Sequence, residues 1–219
     1  MSTTQVFTRR SIRLALLGAA LSGAGLLHAA SEAQFAPAFT LFSQASAGDG
    51  AAIDKAAESF EALLKAEPSN PVLMAYAGAS TTMKATTTLL PWKKMNYAED
   101  GMAAQDKALA MLTPEHDAVV QHGTPGSLEV RFVAANTFLA VPGFMNRAAR
   151  GAKLLGEVLA SPLLATAPLG FQGSVWLASA RLALKEKRTD DARAYLNQVI
   201  KANAPQAQAA REQLKALAS

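Results

Sequence analysis

From Phe35 onward, apolar side chains recur every three or four positions within segments of about 12 to 20 residues, a pattern typical of amphipathic helices. The chain nowhere sustains the alternation of apolar and polar positions that marks a β-strand. Residues that end helices, mostly proline, glycine and asparagine, separate these segments. The breaks fall at residues 48–50, 68–71, 90–91, 113–114, 123–126, 141–143, 161–162, 167–168, 188–190 and 204–205. The pattern predicts an all-α fold, an array of antiparallel helical hairpins.

Two helices that are far apart in the chain carry the same apolar stripe. Each has a small residue at position i and larger apolar residues at i+4, i+7 and i+8, with charged residues off the stripe. A proline turn follows each helix, at Pro68 and at Pro205. The stripes consist of Ala56, Phe60, Leu63 and Leu64 in the first helix and of Ala192, Leu196, Val199 and Ile200 in the second. A shared spacing of this kind indicates an internal repeat.

The first stripe resembles the second helix of a tetratricopeptide repeat (TPR). That repeat is a helical hairpin of about 34 residues, whose second helix has a small residue, a large apolar residue and then a closing proline. Ala56, Phe60 and Pro68 stand at these spacings, and Gly78 falls where the next repeat takes a small residue. The small residues let neighbouring helices approach, and the large ones fill the space between hairpins.

A second hairpin, near the C-terminus, resembles the same repeat. Trp176 and Ala180 precede Ala192 at the spacing of the family's first-helix tryptophan and small residue. Between the two hairpins, steps of about 34 residues from the first stripe meet no small residue. They land on Leu90, Thr124 and Val158. The resemblance implies a TPR-like α-solenoid whose middle has diverged or is spaced differently.

The middle of the chain contains two segments, residues 90–101 and 127–136, that are similar to a group of exported bacterial repeat proteins. That similarity implies the same fold and supplies no activity. The first segment holds Trp92, Lys93, Lys94 and Tyr97. These side chains can form a surface contact, or the two aromatic rings can pack between hairpins.

The composition fits closely packed helices. Half of the 219 residues are hydrophobic but only 6% are aromatic, and alanine, the best helix former, dominates the apolar set. The absence of cysteine excludes disulfides, thiolate metal sites and a cysteine nucleophile. Three of the 21 basic residues lie among the first 13 positions, which leaves 18 basic and 17 acidic residues after them. This near-neutral remainder gives no electrostatic reason to expect nucleic acid.

The first 33 residues have the features of a signal peptide. A basic stretch precedes an apolar run, residues 14–27, which is shorter than the roughly 20 residues that span a bilayer. Small residues follow, and cleavage is expected after Ala30 or Ala33. We therefore expect a periplasmic mature protein with a single TPR-like domain, residues 34–219, that does not span a membrane.

The sequence leaves two alternatives for the export route. Arg9 and Arg10, followed by Ser11 and Ile12, resemble the twin-arginine export motif. Any basic segment can contain two adjacent arginines, so the general secretory route is the other alternative. A permanent N-terminal anchor is the competing interpretation of the whole segment.

Candidate catalytic and metal-binding residues are few. His116 and His122 are six positions apart near the least regular stretch, residues 117–127, whereas helical metal sites place two histidines four positions apart. We interpret both as exposed loop side chains. The sequence has no Gly-x-Ser-x-Gly elbow and no glycine-rich segment before a lysine. It therefore predicts no enzyme, no metal site and no cofactor.

Polar residues in the second half of the chain are the candidate partner-binding residues. Arg131 and Asn136 lie in an otherwise apolar helix, where a polar amide needs a hydrogen-bond partner. Peptide-binding TPR proteins use asparagine and basic residues on first helices to hold a partner, although a neighbouring helix end can satisfy the amide instead. Arg147, Arg150 and Lys153 share one helix face, which either attracts an acidic partner or is a solvated surface.

The sequence favours a non-enzymatic scaffold that binds a polypeptide partner in the groove of the helical hairpins. The alternative is a small-ligand or transport-associated binding protein that uses the same concave surface. An open groove lined by Arg131 and Asn136 would support the scaffold, and an enclosed apolar pocket would support the alternative.

Overall fold

The computed structural model describes residues 32–217, and within this range the chain folds into α-helices joined by short connections. Some connections contain 3₁₀ turns, and the only β feature of these residues is an isolated bridge between Val119 and Pro125. The helices are α1 (Glu32–Ser46), α2 (Gly50–Ala66), α3 (Pro71–Met83), α4 (Pro91–Ala110), α5 (Gly126–Ala140), α6 (Ala148–Ala160), α7 (Leu169–Lys185), α8 (Thr189–Lys201) and α9 (Ala207–Ala216). The all-α prediction is confirmed.

Side-chain caps and prolines set the start of the N-terminal helices. Asp49 Oδ1 accepts a hydrogen bond from the Ala51 N–H at 2.9 Å and caps α2. Asn70 Oδ1 accepts in the same way from the Val72 N–H at 3.0 Å, and Pro71 forms the first turn of α3. These caps satisfy backbone donors that have no partner inside the helix.

Helices α3 and α4 form an antiparallel pair. Gln105, late in α4, donates a hydrogen bond from Nε2 to the carbonyl of Ala75 in the first half of α3, at 3.4 Å. At the opposite end, the Lys84 ammonium lies 5.2 Å from the ring centre of Tyr97, early in α4. The end of α3 therefore lies beside the beginning of α4.

Helices α3 and α5 pack side by side and run in the same direction. Val72 lies next to Gly126, and Tyr76 contacts Glu129, so the first halves of both helices meet. Helix α5 also contacts α7, and each helix packs on the next one along the chain. The connections that follow α3 and α5 therefore project from the same end of the molecule.

The two apolar stripes predicted from the sequence lie in the core. Ala56 and Phe60 of α2 are fully buried, and so are Ala192 and Leu196 of α8. The other members of each stripe pack in or against the same hydrophobic clusters. The cluster around α8 also contains Trp176 of α7.

The α3–α4 pair makes its closest approach at two glycines. A Cβ atom added to Gly78 would lie 2.6 Å from the carbonyl oxygen of Gly101. A Cβ atom on Gly101 would overlap the backbone of Gly78 and the Oγ1 atom of Thr82. Because these neighbours are largely backbone, they cannot move aside without separating the helices.

We expect Gly101→Ala to lower the free energy of unfolding by about 1 to 3 kcal/mol, the usual cost of overpacking. Gly156→Ala is the matched control, because a Cβ atom there meets nothing within 4 Å. It should stabilise the protein by roughly 0.5 to 1 kcal/mol through the higher helix propensity of alanine. Urea unfolding followed by circular dichroism measures both. If Gly101→Ala and Gly156→Ala changed the free energy of unfolding equally, the close approach at Gly101 would be contradicted.

The predicted signal peptide lies outside the described residues, apart from its last two positions, Glu32 and Ala33, which begin α1. Export therefore stays a prediction. None of the helices formed by residues 32–217 has both the length and the apolar character needed to cross a membrane.

Candidate functional site

An open groove formed by α4, α5 and α6 consists of two adjoining depressions, with volumes of about 390 and 410 Å³. Arg131 of α5 and Glu157 of α6 line both of them, so this pair stands at their junction. The smaller depression is also lined by Leu109, Leu112, Arg150, Lys153 and Leu154, and the larger by Asp117, Ser127, Leu128, Ser161, Pro162 and Leu163. We call the two together the α5–α6 groove.

Arg131 lies at the centre of the α5–α6 groove. Antiparallel packing of the two helices places its Nε atom 3.7 Å from Glu157 Oε2, and its guanidinium also donates to the Ser127 carbonyl at 3.1 Å. The Glu157 contact is longer than a good charge-assisted hydrogen bond. Part of the guanidinium's bonding capacity therefore remains for another carboxylate.

Arg150 reaches the groove from a fixed position. Arg147 and Arg150 hold the same carboxylate, that of Asp106 on α4, at 2.9 and 2.8 Å. Both guanidinium groups also lie over the ring of Phe138, at 5.3 and 5.5 Å from its centre. Of the two arginines only Arg150 lines the groove, and Arg147 supports it through the shared aspartate.

The smaller depression combines positive charge with an apolar surface. Its charged side chains are three cations and one carboxylate, and Lys153 Nζ stays 4.0 Å from Glu157, its nearest partner. Its apolar lining is Leu109, Leu112 and Leu154. Such a lining suits a ligand that presents a carboxylate beside an apolar side chain.

Asn136 lies apart from the groove. Its side-chain amide donates to the Phe132 carbonyl one turn earlier in α5, at 2.9 Å, and it lines neither depression. The structure thus brings Arg131 and Arg150 together, places Arg147 beside them and leaves Asn136 elsewhere. The amide is satisfied within its own helix, a local bond that the residue spacing allows.

A buried polar cluster escaped the sequence analysis. Glu129 of α5 is only 1% exposed, and its Oε1 atom accepts hydrogen bonds from Tyr76 Oη at 2.6 Å and from His122 Nε2 at 2.9 Å. The backbone N–H of His122 donates to Glu32 Oε2 of α1 at 2.8 Å. The His122 ring packs on Phe35, with ring centres 5.1 Å apart. This cluster joins the α4–α5 connection to α1, α3 and α5.

The interpretation of His122 as an exposed loop side chain is wrong, since only 27% of its side chain is exposed. Burial lowers the pKa of its imidazole, but the hydrogen bond and charge of Glu129, with the charge of Glu32, raise it more, so the net pKa is raised. Burial and then Glu129 raise the pKa of the Tyr76 phenol well above its usual value. None of these side chains lines the α5–α6 groove. The cluster therefore has a structural role: it holds the α4–α5 connection against α1, α3 and α5.

The other histidine has a local role. His116 Nδ1 accepts a hydrogen bond from the Thr113 N–H at 3.0 Å and stabilises the short turn that begins at Pro114. Among residues 32–217 there is no group of three histidine or carboxylate side chains that could hold a metal ion.

Comparisons with protein-family models, curated proteins and solved structures found no match to this chain. The α5–α6 groove is therefore the main indication of function. Its observed properties are an open shape, an excess of positive charge and a leucine-lined side.

Proposed function

We propose that this chain is a non-enzymatic scaffold of TPR-like helical hairpins that binds a polypeptide partner in the α5–α6 groove. The observation that supports it most is the presence of Arg131 and Arg150 beside three leucines in one open groove. An extended peptide suits such a surface, because its alternate side chains can enter the apolar part while a carboxylate pairs with arginine.

Several packing features agree with a TPR-like arrangement. Gly78, at a position where the repeat takes a small residue, lies at the closest approach of α3 and α4. Ala180 and Ala192, at two other small positions, are fully buried in the same cluster as Trp176. The family uses small residues at these positions to bring neighbouring helices together.

The proposed location is the periplasm, reached by cleavage of a signal peptide within residues 1–33. The two expected cleavage points have different structural consequences. Cleavage after Ala30 keeps Glu32, which accepts the His122 N–H, whereas cleavage after Ala33 removes it. The position of Glu32 in this contact favours cleavage after Ala30.

The proposed partner chemistry can be tested with defined peptides. The probe is a set of fluorescein-labelled heptapeptides of alanine and serine that carry one leucine and one aspartate at every spacing. We expect binding by fluorescence polarisation, and we expect Arg131→Gln and Arg150→Gln each to weaken it by about tenfold, since charge-assisted hydrogen bonds are lost. Arg211→Gln on α9 is the control, because this exposed arginine lies outside the groove.

A matched peptide set, with asparagine in place of aspartate, tests the carboxylate. The asparagine peptides should bind the wild-type protein more weakly than the aspartate peptides do, by a factor similar to that of each arginine change. Equal binding of both sets, or equal effects of the Arg131 and Arg211 changes, would contradict the proposed recognition.

A further inference from the structure

Five large apolar side chains are exposed at one end of the molecule. Leu89 in the α3–α4 connection is 90% exposed, Trp92 in the first turn of α4 is 62% exposed, and Phe144 in the α5–α6 connection is 68% exposed. Leu90 and Met95 are exposed beside them in the sequence. We call these five residues the apolar tip. Of the two alternatives for Trp92, a surface contact or packing between hairpins, its exposure excludes the second.

The two connections that carry the apolar tip project in the same direction. Helices α3 and α5 run parallel, so the residues that follow them leave the same end of the molecule. Ala85, after α3, and Met145, after α5, also pack against one core cluster. Both connections are thereby fixed to the body of the protein.

The two segments that carry the apolar tip are basic, and the nearest acidic residues in the sequence, Glu99 and Asp100, follow the first of them on α4. Residues 84–98 and 141–150 contain five lysines and arginines and no aspartate or glutamate. Three of these cations pair with a carboxylate, Lys84 with Asp54 and two arginines with Asp106. The other two, Lys93 and Lys94, form no ion pair within residues 32–217 and directly follow the exposed tryptophan in the sequence.

We propose that this end of the molecule docks on the surface of an anionic phospholipid bilayer, with Leu89, Trp92 and Phe144 inserted among the headgroups. Tryptophan favours the membrane interface, and exposed leucine and phenylalanine gain from leaving water. Lys93 and Lys94 lie where they can meet lipid phosphates. Side chains that project from two connections fit a deformable lipid surface better than a preformed protein pocket.

None of the five residues of the apolar tip lines either depression of the groove. Trp92 and Leu109 stand about 25 Å apart along α4, given the rise per residue of an α-helix. The proposal stands without the peptide-binding function.

Lipid vesicles test the proposal directly. The probe is phosphatidylcholine vesicles with or without phosphatidylglycerol, and the readouts are co-sedimentation and tryptophan fluorescence. We expect binding to the anionic vesicles, a blue shift of the emission, and weaker binding at high salt. Trp92→Phe should remove the blue shift and keep the binding, because Trp176, the other tryptophan, is buried.

Two double variants separate the contributions of charge and apolar contact. Lys93→Gln with Lys94→Gln should weaken binding by about 30-fold, or about fivefold for each lysine. Leu89→Ser with Trp92→Ser should weaken it by more than about tenfold. Lys201→Gln with Lys215→Gln is the matched control on exposed positions of α8 and α9, and it should bind like the wild type.

Three outcomes would overturn the proposal. The first is no binding to anionic vesicles, and the second is equal binding of the control and the Lys93–Lys94 variant. The third is self-association in the absence of lipid that Leu89→Ser with Trp92→Ser abolishes, because the apolar tip would then be a contact between two copies of the chain.

Discussion

Replacement of Phe60 by alanine is expected to lower the free energy of unfolding by about 3 to 5 kcal/mol, the usual cost of truncating a buried phenylalanine. The Phe60 ring is fully buried and stacks on Tyr76, with ring centres 4.8 Å apart. It also meets Phe35 and Phe42 edge-on, at 5.7 and 6.1 Å. Truncation therefore leaves a cavity where α1, α2 and α3 meet. Urea unfolding followed by circular dichroism measures the loss.

Phe144→Ala is the matched control for this change. It removes the same atoms from a ring that is 68% exposed, so the free energy of unfolding should change by less than about 0.5 kcal/mol. An unchanged urea midpoint for Phe60→Ala would show that Phe60 does not hold the N-terminal helices together.

The stability of the protein is expected to fall as the pH rises through the folded-state pKa of His122. The net pKa of this imidazole is raised, so its stabilising effect is complete below the unfolded value of about 6.5 and is lost as the pH rises through the folded value. The reason is that the charged imidazole pairs with the buried Glu129 carboxylate, whose Oε2 atom has no hydrogen-bond partner among the described residues. Unfolding measured from about pH 6 to pH 9 gives the dependence.

His122→Asn removes the imidazole and keeps the backbone conformation of the residue. The residue has a positive φ of 36°, which asparagine tolerates well. At about pH 6 the variant should be less stable by roughly 1.5 to 3 kcal/mol, the range for a hydrogen bond to a charged group. The difference should narrow as the pH rises through the folded-state pKa, because the wild-type imidazole then loses its charge.

His116→Asn is the control for the pH dependence, because His116 bonds to Thr113 and not to a carboxylate. This variant should keep the wild-type slope of stability against pH. A His122→Asn variant that also keeps the full slope would contradict the coupling between His122 and Glu129.

Local features of the fold were predictable from the sequence because they depend on short spacings. The stripe around Phe60 and the proline-containing breaks predict helices by position alone, and the structure places helices there. The register between helices is not a local property. For this reason the sequence shows that Arg131 and Arg150 are basic but not that they line one groove.

The buried cluster was missed for the same reason. His122 contacts Glu32 from 90 positions away, and Tyr76 contacts Glu129 across 53 positions. One signal was present, since Glu129 is a single carboxylate between apolar neighbours and a buried charge needs a partner. Asn136 is likewise a polar residue among apolar neighbours, but a hydrogen bond within its own helix satisfies its side-chain amide.

The position of a bound peptide on the protein tests the proposed groove most directly. Methyl spectra of protein labelled at leucine, recorded with and without the tightest-binding heptapeptide, give this position by nuclear magnetic resonance. Binding in the α5–α6 groove predicts shifts of the methyl groups of Leu109, Leu112 and Leu154, which line its smaller depression. Shifts confined to leucines outside the groove, such as Leu196 and Leu214, would contradict it.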